Sequence, residues 1–281
     1  MLSNQQFERV RQLALKLAGL DLVERHRDLL DHRGRRAGIQ NSAQWDAQLG
    51  AAELGDAAAT QQLLRLLTTK VTGFFRHPRH FEVAAARALR AARQHGNARL
   101  WSAAAATGEE PYSLAMTLIE AFGNDEPPAS VLATDADVDA LKAAERGEYA
   151  EAALEGLEPA RRDRFLCESK ISRRWQVIPA VRRLVEFRAL NLASIEWPVE
   201  GPFDIIFCRN VLMYLEASHR YAALERLASL LAPDGLLMLD PAEHLGKAGH
   251  LFTPGADSVF SSRRAANPGR SARRMMALPS K

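Results

Sequence analysis

The sequence predicts an α/β protein: a largely parallel sheet flanked by helices, preceded by a small all-helical domain and interrupted by a small inserted β-subdomain. Three observations predict it. Short apolar runs alternate with helical patterns from about residue 100 to residue 240, the signature of successive βαβ units. The first 75 or so residues show helical spacing only, and residues 148–183 break the strand–helix rhythm midway through the sheet.

In chain order, residues 5–18 carry Phe7, Val10, Leu13 and Leu17 on one helical face, and 20–32 carry Leu22, Leu29 and Leu30, with Gly19 and Gly34 as the expected breaks. Ser42 is placed to cap a third helix through Leu49, and 57–67 forms a fourth around Leu63, Leu64 and Leu67. The segment TTKVTGFFRHPRHF, residues 68–81, fits neither a clean helix nor a clean strand and leads into a helix over about 80–94. The first sheet strand is read over 100–106, where Leu100 and Trp101 precede four alanines, Ala103 to Ala106. Thr107-Gly108 then turns sharply into a helix over 109–122 that tolerates Pro111 in its first turn.

A second strand over 130–134 ends at Asp135 and is followed by a helix over 138–146 that Asp137 is placed to cap. Within 148–183 a polar helical piece (159–165) and ESKISRRWQVIPAV suggest a short strand or hairpin, hence the inserted lobe. The sheet resumes with 185–189, ending at Asn191-Leu192, and with 203–208, FDIIFC, which feeds Arg209-Asn210 and a loop containing Tyr214. A helix over 218–231, the turn Pro233-Asp234-Gly235 and a strand over 236–239 follow. Pieces at 251–252 and 258–261, separated by TPGAD, suggest an antiparallel finish. The domain reading is 1–75 helical, 76–264 sheet with the insertion, and 265–281 a flexible basic tail.

The 281 residues carry 37 Lys/Arg against 34 Asp/Glu, an ordinary balance with an uneven distribution. Residues 1–95 hold 15 Lys/Arg and 9 Asp/Glu, while 261–281 hold six Lys/Arg and no acid. No apolar run is long enough to cross a membrane and MLSNQQFERV is no secretory segment, so the expected location is the cytoplasm. Cys167 and Cys208 lack CxxC or zinc-like spacing and read as reduced thiols, with no metal site expected.

The chemistry is expected where the first two strands end. A strand turning tightly into a helix aims unpaired backbone N–H groups over the strand's C-terminal edge, and the small alanines allow a ligand to approach the backbone. Asp135 stands where a carboxylate can accept from both hydroxyls of a ribose, although position alone also fits a helix cap. Neither strand–helix corner contains GxGxxG, and Glu109-Glu110 would repel a pyrophosphate. This favours a nucleoside with a cationic tail over NAD or ATP. S-adenosylmethionine fits: a ribose for Asp135, an ammonium for one of the two glutamates, and an adenine beside Asn191-Leu192.

Several blocks then resemble one family. WSAAAATGEEPYSLAM, LATDADVDALKAAERGEY, FRALNL and above all FDIIFCRNVLMYLE look like the chemotaxis-receptor methyltransferases, the CheR family of protein-glutamate O-methyltransferases. TTKVTGFFRHPRHF resembles that family's Asn-Glu-Thr-x-Phe-Phe-Arg segment, and DGLLMLDPAEHL its closing Gly-x-Leu and Ser-Glu strand. The blocks run in family order as far as about Arg263.

The resemblance implies a Rossmann-like S-adenosylmethionine methyltransferase domain, with S-adenosylhomocysteine as product. It implies that Glu110 holds the methionine ammonium, Asp135 the ribose hydroxyls, and Asn191 and Leu192 the adenine side. Arg209 and Asn210 are implied beside the cofactor, Tyr214 near the transferred methyl, and Thr72 and Arg76 as cofactor contacts. It further implies a monomer whose helical domain docks the long helices of a chemoreceptor. In some members the inserted subdomain grips a receptor's C-terminal peptide; ESKISRRW lacks the glycines of that form, so tethering is not expected here.

A glutamate is already ionised at pH 7, so methyl transfer asks for placement and water exclusion rather than a base. Arg76 or Arg209 is expected to steer the substrate carboxylate and the Tyr214 hydroxyl to orient it. Two departures stand out. Lys70 and Val71 replace the family's Asn and Glu, and Asp240-Pro241 replaces small residues before Ala242-Glu243. Two other readings remain open: the same cofactor with another protein or a small carboxylate as substrate, and a noncatalytic binding module. A nucleic-acid substrate is not expected, because the basic tail is short and no base-stacking pocket is evident. Arg25, Arg33, Arg35 and Arg36 are the basic residues expected to face an acidic receptor helix.

Overall fold

The computed structural model describes residues 2–67, 72–169 and 173–263. Lys70 and Val71, the centre of ESKISRRW and the basic tail lie outside them. Four helices come first: α1 (Asn4–Ala18), α2 (Arg27–Arg36), α3 (Ser42–Glu53) and α4 (Ala57–Leu67). At the start of α1 a capping box closes, with Gln6 N donating to Ser3 Oγ at 3.2 Å and Ser3 N donating to Gln6 Oε1 at 3.0 Å. Its stripe of Phe7, Val10, Leu13 and Ala14 is buried with Trp45 and Leu49 of α3 and Leu63 of α4.

The second and third helices depart from the spacing-based expectation. The helix expected over 20–32 lies at Arg27–Arg36, after a single turn of 3-10 helix at Glu24–His26. Gly34, expected to break it, sits inside it, because a Cβ there would overlap the Trp45 ring: the glycine lets α2 approach α3. Asn41 rather than Ser42 caps α3, its Oδ1 accepting from Gln44 N at 2.9 Å, and α3 extends past Leu49 to Glu53.

The sheet region comprises α5 (Pro78–His95), β1 (Ala98–Ser102), α6 (Glu109–Phe122), β2 (Ala129–Asp135) and α7 (Val138–Arg146). There follow β3 (Glu148–Tyr149), α8 (Pro159–Phe165), β4 (Leu166–Glu168), β5 (Trp175–Val177), α9 (Pro179–Arg182) and β6 (Val185–Ala189). The chain finishes with β7 (Phe203–Phe207), α10 (Ala217–Leu230), β8 (Leu231–Met238), β9 (Phe252–Pro254) and β10 (Val259–Ser262). Seven strands form one sheet in the order β6-β2-β1-β7-β8-β10-β9, parallel as far as β8 and antiparallel through β10 and β9.

From β1 the chain first builds outward through β2 and β6, then returns to add β7 on the other side of β1. That reversal is the topological switch point at which open α/β sheets leave a crevice beyond the strands' C-terminal ends. Ser102 is in register with Ala133 and Phe207, so three strands deliver the segments that follow them to one edge.

β1 is shorter than expected. It ends at Ser102, and the four alanines form the turn beyond it, with Ala106 at φ +46°. The turn holds because Ala106 N donates to Asp135 Oδ2 at 2.8 Å and Ala105 N to Thr134 O at 2.9 Å, so the chain leaves the ladder to bind the end of β2. β8 is longer than expected: Pro233-Asp234-Gly235 falls inside it as an irregularity, since the register jumps from Phe203↔Leu231 to Ile205↔Leu236.

Residues from the irregular stretch form a second antiparallel sheet, β3-β5-β4. Its Tyr149 and Val177, together with Phe165 at the end of α8, are buried in one cluster with Phe74, Phe75 and Tyr112.

Candidate active site

A cleft of about 1040 Å³, counted out to its open mouth, lies over the ends of β1, β2 and β7. Its wall includes Ala103, Ala104, Ala106 and Ala136, side chains small enough to let a ligand lie against the backbone. Thr72, Arg76, Glu110, Asp135, Asn191, Leu192, Arg209, Asn210 and Tyr214, every site residue expected from the sequence, line the same cleft.

Gly108 makes the floor possible. Its φ is +97°, and a Cβ would stand 2.8 Å from both Ala144 Cβ and Tyr149 Oη. The chain therefore turns at glycine into α6 and presents two acids in its first turn. Glu109 folds back on the turn, accepting from Thr107 Oγ1 at 2.7 Å through Oε2. Glu110 is the one that reaches the cleft: Oε1 accepts from Ser102 Oγ at 2.7 Å and Oε2 from Arg209 Nε at 2.7 Å. Each carboxylate oxygen has two lone pairs, so Glu110 retains acceptor capacity toward a cation.

Arg209, expected beside the cofactor and as one of two candidates to steer the substrate, is buried in the cleft lining. Its guanidinium is committed to Glu110, to Arg76 O at 2.6 Å through Nη1, and to the faces of Phe207 and Phe81, 5.1 and 5.6 Å from the ring centroids. His80 belongs to the same packing: Nε2 lies 2.6 Å from Asp257 O and Nδ1 3.4 Å from Arg209 Nη1. Burial pushes its imidazole below the usual histidine range, the Asp257 carbonyl opposes, and Arg209 reinforces the burial. A neutral ring with its proton on Nε2 satisfies both contacts.

At the end of β2, Asp135 Oδ2 accepts from Ala106 N at 2.8 Å and Oδ1 from Asp137 N at 2.9 Å. Asp137 caps α7, its Oδ1 accepting from Asp139 N and Ala140 N at 3.0 Å. The capping role therefore falls to Asp137. Asn191 turns its amide to structure: Nδ2 donates to Leu17 O at 2.6 Å and Oδ1 accepts from Ala193 N at 2.9 Å.

Arg76 lies at the cleft mouth, donating from Nη1 to Asn210 Oδ1 at 2.9 Å and from Nη2 to Asp240 Oδ2 at 3.2 Å. The loop carrying Tyr214 is held by Glu243, whose Oε1 accepts from Val211 N at 2.9 Å and Leu212 N at 2.8 Å, and whose Oε2 accepts from Asn210 N at 3.0 Å. Burial pushes the Glu243 carboxyl up, and the amides of Asp240, Asn210, Val211 and Leu212 oppose it. Asp240 and Glu243 are not among the site residues expected from the sequence. Their signal was an Asp-x-x-Glu spacing just past a parallel strand that ends at the same sheet edge.

Residues 70–258 match the family model described as CheR methyltransferase, SAM binding domain. The chain belongs to the CheR methyltransferase family. It is 35% identical over 265 residues to Chemotaxis protein methyltransferase 2 of Pseudomonas aeruginosa, covering 92% of this chain and 93% of that one. It is likewise 35% identical over 266 residues to Chemotaxis protein methyltransferase of Salmonella typhimurium, covering 92% and 91%. Probable chemotaxis protein methyltransferase of Rhizobium etli is 39% identical over 204 residues, covering 70% and 76%.

As a CheR methyltransferase this protein uses S-adenosylmethionine, and the cleft suits that cofactor. The carboxylates of Glu110 and Asp135 line it, an alanine wall lets a ligand approach the backbone, and Leu190 and Leu192 offer an apolar flank. Glu110 in the first turn of α6 disfavours a phosphate there. Among the described residues no group of metal-ligating side chains is present, and no helix is long and apolar enough to cross a membrane.

Proposed function

We propose that the protein methylates glutamate side chains on the helical cytoplasmic part of a chemoreceptor-like protein. The observation that carries this reading is that Arg76 and Tyr214 line the same cleft as Glu110 and Asp135. S-adenosylmethionine supplies an electrophilic methyl on a sulfonium. Glu110 receives the ammonium, Asp135 the ribose hydroxyls, and Leu192 flanks the adenine. Thr72 and Asn210 close the cleft beside them. Arg76 receives the incoming carboxylate, Tyr214 orients it through its hydroxyl, and Arg209 fixes Glu110 and the Arg76 backbone. No group here is required as a base, since the substrate carboxylate is ionised at neutral pH.

The helical domain, residues 1–75, is the proposed docking surface for the receptor, acting as a monomer in the cytoplasm. Two of its expected basic contacts are engaged within the molecule. Arg33 Nη1 donates to Leu66 O at 2.9 Å, and Arg35 Nη1 pairs with Asp31 Oδ2 at 2.5 Å. Arg25 and Arg36 are left as the docking cations of that set, and raised salt should weaken association.

The test is transfer of labelled methyl from S-adenosylmethionine to a receptor cytoplasmic fragment, with small carboxylates and unrelated helical proteins alongside. Label that leaves the receptor as methanol in mild alkali identifies a carboxyl ester. Alkali-stable label, or label on the small carboxylates only, overturns the reading.

A further inference from the structure

Past the end of β8 the chain makes a turn whose first and fourth residues are Asp240 and Glu243, 5% and 4% exposed. Asp240 N donates to Glu243 Oε2 at 3.0 Å, and Asp240 Oδ1 accepts from Ala242 N at 3.0 Å. The other oxygen, Oδ2, accepts from Arg76 Nη2 and lies near His77 Nε2, both at 3.2 Å. Arg76 also donates to Asn210 Oδ1, and Asn210 N donates to Glu243 Oε2, the oxygen that receives Asp240 N. The bonds therefore close a ring: Arg76 to Asn210, Asn210 to Glu243, Glu243 to Asp240, and Asp240 to Arg76. One turn thus holds both the arginine head group and the backbone from which the Tyr214 loop departs.

Arginine has several freely rotating bonds, and leaving it unanchored at a mouth where rate depends on placement forfeits orientation. Here its backbone carbonyl is held by Arg209 Nη1 and its head by Asp240 and Asn210. Burial alone would raise the Asp240 carboxyl. The Ala242 amide, the Asn210 side chain, the Arg76 charge and His77 together hold it below the usual aspartate range. At neutral pH the anchor is an anion, and it offsets the arginine charge at the mouth of a cleft that must admit a sulfonium cation. His77, at φ +59° just before Pro78 opens α5, brings a second polar head to the same oxygen.

We propose that Asp240, supported by His77, is a positioning residue for methyl transfer that acts through Arg76, fixing the guanidinium in the orientation that receives the substrate carboxylate. This rests on the reading of Arg76 given above. Neither residue touches the reacting atoms.

The test is a double-mutant cycle in the full chain with Asp240→Ala, Arg76→Ala and the pair, using a chemoreceptor cytoplasmic fragment as methyl acceptor. Asp240→Ala should lower kcat about tenfold or more, with S-adenosylhomocysteine affinity by calorimetry within about threefold of the parent. Added to Arg76→Ala it should change kcat less than about twofold. Asp240→Asn, which keeps the shape and one acceptor, should recover part of the loss. An equal factor in both backgrounds overturns the inference while leaving Arg76 in its role. Undiminished turnover in Arg76→Ala alone overturns the reading of Arg76, and the inference with it. Loss of S-adenosylhomocysteine binding in Asp240→Ala marks a merely structural role and also overturns it. If Asp240→Ala does not fold, the cycle with Asp240→Asn is judged by the same criteria.

Discussion

Arg209 Nε donates to Glu110 Oε2 at 2.7 Å, with the two side chains 3% and 10% exposed. Removing the arginine leaves a buried carboxylate whose remaining side-chain donor among the described residues is Ser102. Arg209→Ala should therefore lower stability by about 3–5 kcal/mol, read by urea denaturation. Arg209→Lys keeps the charge but not the planar fork, so it should fall between the two. A loss under about 1 kcal/mol for the alanine variant would show that the pair does not organise the cleft.

Gly108→Ala tests the floor of the site. The new Cβ would meet Ala144 Cβ and Tyr149 Oη at 2.8 Å, at a backbone φ of +97°. Strain and overlap together should reduce stability by about 2–4 kcal/mol, visible as a lower Tm. S-adenosylhomocysteine affinity should fall with it, because the same turn aims Glu110.

Acid should loosen the packing around His80. Its folded pKa is depressed, chiefly by burial, so as the pH falls through about 6.5 the unfolded chain takes up the proton first. Stability is then lost from about pH 6.5 down to the folded pKa, and below that the loss stays constant. His80→Gln removes this titration. Denaturation free energies at pH 7.5 and 5.5 should fall less in the variant than in the parent, and an equal fall in both would refute the assignment.

Tyr214→Phe should separate orientation from acid–base work. Losing one hydroxyl contact should reduce kcat by up to about tenfold. The dependence of rate on pH should keep the same shape between about pH 7 and 9, since no tyrosinate is required. A rate that climbs steeply toward about pH 9 in the parent and not in Tyr214→Phe would mean that the hydroxyl exchanges a proton in the reaction.

The parallel strands and the placement of Glu110 and Asp135 were legible because they rest on local signals: an apolar run, a turn, an acid at the strand end. FDIIFC is buried throughout, as a central strand requires. What depended on distant partners was not legible. Ala103 to Ala106 read as strand by composition, yet Asp135, some thirty residues on, draws Ala106 out of the ladder. Gly34 read as a helix stop, while its reason is a tryptophan on another helix. Arg209 and Arg76 were interchangeable on paper. Only their partners, Glu110 for one and the pair Asn210 and Asp240 for the other, distinguish an arginine that braces the site from one at its mouth.

The end of α1 is stitched to the loop that carries Tyr214. Leu20 bridges Leu215, Asp21 N donates to Tyr214 O at 2.9 Å, and Glu216 N donates to Gly19 O at 2.7 Å. Alongside, Asn191 reaches Leu17 O at 2.6 Å and Arg65 pairs with Asp139 at 2.8 Å. A chimera that takes its first helices from a relative will therefore keep its tyrosine in place only if the graft also includes the matching side of this seam. On the proposed docking role of the helices, substrate preference and the placement of Tyr214 are inherited together, and recombination near residue 75 would separate two halves of one joint.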